Sequence, residues 1–94
     1  MANAIVTFKI MPESPDVDME SVAEQAKKIL ANHKAKGDVK HKIEPVAFGI
    51  KHVYLYAMFE TTDEGNDYDA MQAEFAKIEG VADSSLEKID LAMG

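Results

Sequence analysis

The 94-residue chain lacks cysteine, a long apolar run and a phosphate-binding glycine motif, and each absence excludes a class of function. Without cysteine there is no disulfide framework, no thiol nucleophile and no thiolate zinc site, because all three require sulfur. No segment approaches the ~20 apolar residues of a membrane-spanning helix, and residues 1–11 show no secretory pattern. Neither a P-loop nor a GxGxxG turn is present. We therefore expect a cytoplasmic protein with no membrane anchor and no bound cofactor.

Composition predicts one small folded domain over residues 1–94. Apolar residues make up 47% of the chain, too many for a disordered tail, and 29% are charged. The formal net charge of −7 repels phosphate backbones, so we expect no direct nucleic-acid ligand. A basic protein surface is the better electrostatic partner.

Hydrophobic periodicity predicts four strands and two helices. Alternating apolar residues indicate strands at 4–11, 41–46, 51–61 and 86–93, and apolar residues at three- and four-residue steps indicate helices from Met19 to His33 and from Tyr68 to Ile78. Asp16 or Asp18 is expected to cap the first helix, which runs out at residues 34–38, where a glycine suits a left-handed exit. Gly80 is expected to end the second helix. Apolar groups on both faces of the third strand suggest a central, well-covered position.

The order β-α-β-β-α-β predicts an α+β fold of the ferredoxin-like, split β-α-β type. In this arrangement two helices pack on one face of a four-stranded antiparallel sheet and bury the apolar stripes. Many functions share this topology, so function has to be argued from particular residues.

The sequence gives little support to several other functions that proteins of this topology perform. Acylphosphatase-like enzymes need an arginine after the first strand, and the chain has none. The three histidines have no metal-ligand spacing, and two acidic windows lack the ligand order of a calcium loop. Tyr54 and Tyr56 resemble the base-stacking aromatics of RNA-recognition domains, although few basic residues accompany them. We expect no catalytic residues and no metal site, and RNA recognition stays a weaker alternative.

The segment PVAFGIK at residues 45–51 carries the most information about function. Phe48 lies beside a glycine in a short hairpin connection, where little core is available to bury it. A Phe that folds back under the loop is the common structural outcome. An exposed aromatic at a loop tip would instead serve as an anchor in a partner's pocket.

This segment resembles the hairpin motif of archaeal elongation factor 1-beta and of the exchange domain of its eukaryotic counterpart. The segment MPESPDVD at residues 11–18, after a strand ending in FKI, resembles the archaeal family's N-terminal motif, and the TDE turn at 62–64 and the IEGV segment at 78–81 match as well. The resemblance covers essentially the whole chain.

The resemblance implies a guanine nucleotide exchange factor that binds GDP-bound elongation factor 1-alpha and promotes GDP release. It implies that the aromatic Phe48 inserts into a pocket of the GTPase and that Gly49 allows close approach. Ala47 stands where the eukaryotic form has glycine, and Lys51 completes the motif. Lys9 and Pro12 match the first motif and are assigned to shaping or flanking the interface. We expect a monomer that acts by binding rather than as an enzyme; the alternative is an interaction or RNA-recognition-like module without exchange activity.

One departure from the eukaryotic pattern concerns the C-terminus. The eukaryotic form uses a lysine next to its C-terminus to disturb the magnesium site of the GTPase, whereas no lysine follows Lys88 in this chain. Either Lys88 has this role from the last strand, or the factor acts through Phe48 and its surroundings alone. The sequence leaves both possibilities open.

Overall fold

The structure, a computed structural model, describes residues 3–60 and 68–92 as one sheet with two helices. Its elements are β1 (Asn3–Pro12), α1 (Met19–Asn32), β2 (Lys36–Ala47), β3 (Ile50–Glu60), α2 (Tyr68–Phe75) and β4 (Val81–Ala92). The strands pair antiparallel in the order β2-β3-β1-β4, which confirms the predicted split β-α-β topology. Within the described ranges, no helix has the length and apolarity needed to cross a membrane.

The core lies between one face of the sheet and both helices. Alternate residues of β1 and β3 point into it, as the two-residue period of a strand requires. Its largest fully buried side chains include Phe8, Phe59, Phe75 and Met71. The ring centroids of Phe8 and Phe75 lie 5.3 Å apart at an interplanar angle of 78°, an edge-to-face contact that joins α2 to the sheet. Burying each such side chain stabilises the fold by roughly 1.5–3 kcal/mol.

Strand β3 is central, as predicted, but only one of its faces is covered. Leu55 and Phe59 are fully buried under the helices, whereas Tyr54, Tyr56 and Met58 on the opposite face are half-buried. The prediction of a well-covered strand is therefore wrong for this face. Crossovers between strands of one sheet are right-handed, so both helices lie on the same side.

Helix α1 begins as predicted and ends earlier than predicted. The Asp18 carboxylate accepts hydrogen bonds from the amides of Glu20 and Ser21, at 3.1 and 3.3 Å, which identifies the N-cap. The left-handed exit residue is Lys34, with φ 71°, rather than Gly37. The Ala35 amide donates to the Leu30 carbonyl and the Lys34 amide to that of Ala31, which is the Schellman pattern. Gly37, with φ 64°, lies instead within β2, where the register with β3 shifts.

Helix α2 ends at Phe75, before the predicted Gly80. A tight turn follows, in which the Ile78 amide donates to the Phe75 carbonyl at 3.0 Å. Ile78 still lies in the core, so the predicted apolar stripe is buried although the helix is shorter. Two strands start earlier than predicted, β2 at Lys36 and β4 at Val81. Their additional residues pair with β3 and β1, which provides hydrogen-bond partners for the backbone.

Gly80 is expected to be the glycine least tolerant of a side chain. Its φ is 94°, and a Cβ atom added to it would lie 2.8 Å from Cγ1 of Val17. Gly80→Ala should therefore lower the free energy of unfolding by about 2–4 kcal/mol, from left-handed strain and overpacking together. The matched control is Gly37→Ala, where φ is 64° but no atom lies within 4 Å, and strain alone should cost about 1 kcal/mol. Urea unfolding measures both, and equal losses would show that the contact with Val17 is unimportant.

Candidate functional site

The candidate site is built around the hairpin that joins β2 to β3. Ala47 pairs with Ile50, leaving Phe48 and Gly49 as a two-residue turn. Their φ angles are 54° and 78°, and positive values at both positions define a type I′ turn. This turn follows the right-handed twist of the strands, but the left-handed conformation is unfavourable for phenylalanine by roughly 1–2 kcal/mol. The hairpin therefore holds an aromatic residue in a conformation that the residue itself disfavours.

Phe48 is the most exposed large apolar side chain among the described residues, with 94% of its surface accessible. Its exposure confirms that the short loop offers it no core, and the alternative of a ring folded under the loop is wrong. Val46, two residues earlier on β2, is 58% exposed. Together the two side chains form an apolar tip at the end of the sheet, suited to insertion into a pocket.

The two sequence motifs meet in space although they are about 30 residues apart. A Cβ atom placed on Gly49 would lie 3.5 Å from Cβ of Pro15, so the turn lies beside the loop of residues 13–18. A cleft of about 360 Å³ separates this loop and the start of α1 from the base of the hairpin, and Lys51 and Ile43 line its hairpin side. Lys51 forms no ion pair with any residue that the structure describes. Its ammonium group is thus available to a partner carboxylate beside the apolar tip.

Lys9 and Pro12 lie outside the hairpin. Lys9 is on the open face of β1, and its Nζ lies 3.0 Å from Oε1 of Glu87 on β4. The hydrogen bond to Glu87 raises the pKa of Lys9, and the same bond is the main cause that lowers the pKa of Glu87. Pro12 is buried and pairs with Val81 next to an irregularity in the β1–β4 register. Pro12 lies at the point where the 13–18 loop leaves the sheet, and that both residues flank the interface stays a prediction.

Lys88 lies far from the hairpin. It is opposite Thr7 on β1, and Thr7 is opposite Tyr56 on β3. Tyr56 follows Phe48 by eight residues, which corresponds to about 25 Å along an extended strand. The Lys88 ammonium lies 3.2 Å from Oδ2 of Asp90 and is well exposed. The structure therefore groups Phe48, Gly49, Ala47 and Lys51 at one end of the sheet and separates Lys88 from them.

Sequence reasoning missed two interactions of histidines with glutamates. His33 at the end of α1 contacts the Glu74 carboxylate on α2, and the His41 ring on β2 lies 3.2 Å from Oε2 of Glu20 on α1. These pairs are 41 and 21 residues apart, so no local spacing indicates them. They join α1 to α2 and to β2, and neither involves a residue of the hairpin turn.

The type I′ turn predicts that Phe48 lowers the stability of the free protein, because this position requires a left-handed backbone conformation. Asparagine tolerates the left-handed conformation, and Asn-Gly is the preferred pair in such turns. Phe48→Asn should therefore raise the free energy of unfolding by about 1 kcal/mol, measured by urea unfolding. Phe48→Ala is the control, since alanine keeps the conformational cost and should change stability much less. A destabilised Phe48→Asn variant would contradict this account of the turn.

Comparison with known proteins identifies the family of the chain. Residues 5–92 match the family model described as the EF-1 guanine nucleotide exchange domain. The chain is 38% identical over 93 residues to elongation factor 1-beta of Methanothermobacter thermautotrophicus, covering 97% of this chain and 96% of the relative. It is 36% identical over 92 residues to elongation factor 1-beta of Methanocorpusculum labreanum, covering 96% of each, and 31% identical over 90 residues to that of Staphylothermus marinus, covering 95% and 96%. The chain belongs to the EF-1 guanine nucleotide exchange domain family.

Proposed function

We propose that this protein promotes GDP release from elongation factor 1-alpha in translation elongation, and that it does so by inserting Phe48 into a pocket of that GTPase. The family model that matches the chain supports the exchange role. The observation that carries the site assignment is the 94% exposed ring at the tip of a strained two-residue turn. The protein would work in the cytoplasm, as a single monomeric domain over residues 1–94, by binding and without making or breaking covalent bonds.

The exchange mechanism depends on a difference between the affinities of the factor for two states of the GTPase. A factor speeds nucleotide release when it binds the nucleotide-free GTPase more tightly than the GDP-bound form, and only that difference shifts the equilibrium. A thousandfold shift requires about 4 kcal/mol. Burial of one phenylalanine side chain contributes roughly 1.5–3 kcal/mol, so Phe48 supplies a large part of the requirement. The remainder has to come from polar contacts and from disturbance of the bound nucleotide.

Charge near the hairpin supports a partner with a basic surface. The 13–18 loop contributes Glu13, Asp16 and Asp18, all exposed, next to a turn that rests on Pro15. Electrostatic attraction between this acidic loop and basic groups would speed encounter and orient the two proteins. Lys51, on the other side of the cleft, would then pair with an acidic residue of the partner. Asp18 and Lys51 line the two sides of one cleft, and these opposite charges would fix the orientation of the bound GTPase.

RNA recognition stays a weaker alternative. Tyr54 and Tyr56 lie on the open face of β3, opposite Lys42 and Lys40 of β2, as a base-binding surface would require. However, the Lys42 ammonium lies 3.1 Å from Oε1 of Glu44, and β1 offers no aromatic next to the tyrosines. Carboxylates that neutralise the nearby lysines weaken the attraction for a phosphate backbone.

Phe48→Ala should raise the concentration of this protein needed for half-maximal GDP release by about 10- to 100-fold, because the ring's burial in the partner is lost. The fold should persist, since the ring packs on nothing in the free protein. Release of a fluorescent GDP analogue from archaeal elongation factor 1-alpha, followed by stopped flow with excess unlabelled GDP, measures the effect.

The matched control is Ile89→Ala. Ile89 is also an exposed apolar residue, at 47%, but it lies on β4 away from the hairpin. Its removal should leave exchange unchanged. Equal exchange by Phe48→Ala and wild type would remove Phe48 from the mechanism, and equal losses in both variants would indicate a nonspecific effect of surface apolarity.

Two mechanisms stay open for Lys88: either it disturbs the magnesium site of the GTPase from a second point of contact, or exchange depends on Phe48 and its surroundings alone. If Lys88 disturbs the magnesium site of the GTPase, Lys88→Met should lower the maximal rate of GDP release several-fold and leave the half-maximal concentration nearly unchanged. The control is Lys40→Met on β2. The same stopped-flow titration separates the two parameters. An unchanged maximal rate would assign exchange to Phe48 and its surroundings alone.

A further inference from the structure

The tip of the hairpin extends beyond the main sheet. Pairing of β1 with β3 ends at Ile10 and Val53, whereas β2 and β3 continue to pair through Glu44–His52 and Pro45–Lys51 to the turn. The last residues before Phe48 therefore form a two-stranded ribbon. Such a ribbon is marginally stable and strongly twisted by itself. Another part of the molecule must fix its direction if Phe48 is to be presented in one place.

The loop of residues 13–18 supplies that support through Pro15. Gly49 has no Cβ, but the position that one would take lies 3.5 Å from Cβ and 4.0 Å from Cγ of Pro15, so the proline ring lies directly beside the turn. Pro15 is the second residue of a turn in which the Val17 amide donates to the Ser14 carbonyl at 3.4 Å. Proline has the backbone angle that this position requires, so the turn is preformed.

The loop is itself attached to the body of the protein at three points. The Glu13 amide donates to the Gly80 carbonyl at 2.8 Å. Val17 packs so closely on Gly80 that a Cβ there would lie 2.8 Å from its Cγ1. Asp18 caps α1. A line of contacts thus runs from the α2–β4 turn through the loop to the hairpin.

We propose that Pro15 is a positioning residue for Phe48, holding the hairpin tip in the orientation that binds the partner. This inference rests on the proposed function. Pro15 is exposed and does not belong to the core, and its ring lies beside Gly49 and lines the same cleft as Lys51. Fixing the ribbon before binding reduces the ordering that association would otherwise require.

The test compares Pro15→Gly with Ser14→Gly. Both variants loosen the same turn, but only Pro15→Gly removes the ring that lies beside Gly49. Pro15→Gly should raise the half-maximal concentration for GDP release about fivefold and leave the maximal rate unchanged, because pre-organisation is lost and the ring of Phe48 is kept. Ser14→Gly should change the half-maximal concentration less than twofold. Equal effects of the two variants would show that general loosening of the turn, and not loss of the Pro15 ring, is responsible.

A double variant separates positioning from direct contact. If Pro15 acts through Phe48, Pro15→Gly should add nothing in a Phe48→Ala background. Additive losses would mean that Pro15 touches the partner itself, and the proposal would be wrong.

Hydrogen exchange and a reversible cross-link test the positioning without the partner. The amides of Ala47 and Ile50, which close the turn, should exchange several-fold faster in Pro15→Gly than in Ser14→Gly. The 3.5 Å between Cβ of Pro15 and the position of a Cβ on Gly49 suits a disulfide, and the chain has no other cysteine, so Pro15→Cys with Gly49→Cys should form one. Its oxidised form should protect those amides and have a lower half-maximal concentration than its reduced form, and the comparison is matched because both forms carry the same change at Gly49.

The outcomes distinguish this inference from the proposed function. Unchanged amide exchange in Pro15→Gly, or an oxidised form no more active than the reduced one, would overturn the role of Pro15. Wild-type protein that fails to release GDP would overturn the exchange function, whatever the amides of the hairpin show.

Discussion

Strand β1 pairs with β3 on one side and with β4 on the other, and this pairing positions the other elements. It fixes which β1 side chains face the helices, since a one-residue slip would turn Val6 and Phe8 to the solvent. It also decides which end of the sheet carries the β2–β3 hairpin. The 13–18 loop leaves β1 at that same end, so the segments at 11–18 and 45–51 become neighbours.

The β2–β3 hairpin combines two features that oppose stability. An aromatic residue occupies a left-handed position at Phe48, and its ring is exposed to water. The core beneath the sheet compensates for both costs, with Phe8, Phe59 and Phe75 all fully buried. Beside the hairpin, Asp18 and Lys51 line one cleft without forming an ion pair with each other. Asp18 caps α1 and so stabilises the free protein, whereas the exposed ring of Phe48 does not.

Much of the fold was predictable because its signals are local. The period of two in β1, the stripe that begins at Met19 and the cap at Asp18 depend on residues close in the chain. The sequence predicts the left-handed residue at the end of α1 to be Gly37, but Lys34 adopts this conformation. The hydrogen bonds of the Ala35 and Lys34 amides stabilise Lys34 in a conformation that glycine usually takes. The open face of β3 was misjudged because its apolar residues do not reveal whether a helix covers them.

The order of elements, the buried faces and the aromatic beside a glycine in a hairpin follow from the sequence alone, because periodicity and turn chemistry act over a few residues. Family membership is also visible in two short motifs. Three relations appear only in the folded chain: Pro15 lies beside Gly49, Lys88 lies about 25 Å along the sheet from Phe48, and glutamates on the helices contact His33 and His41. These relations depend on strand register and helix packing, which bring together residues that no sequence spacing connects.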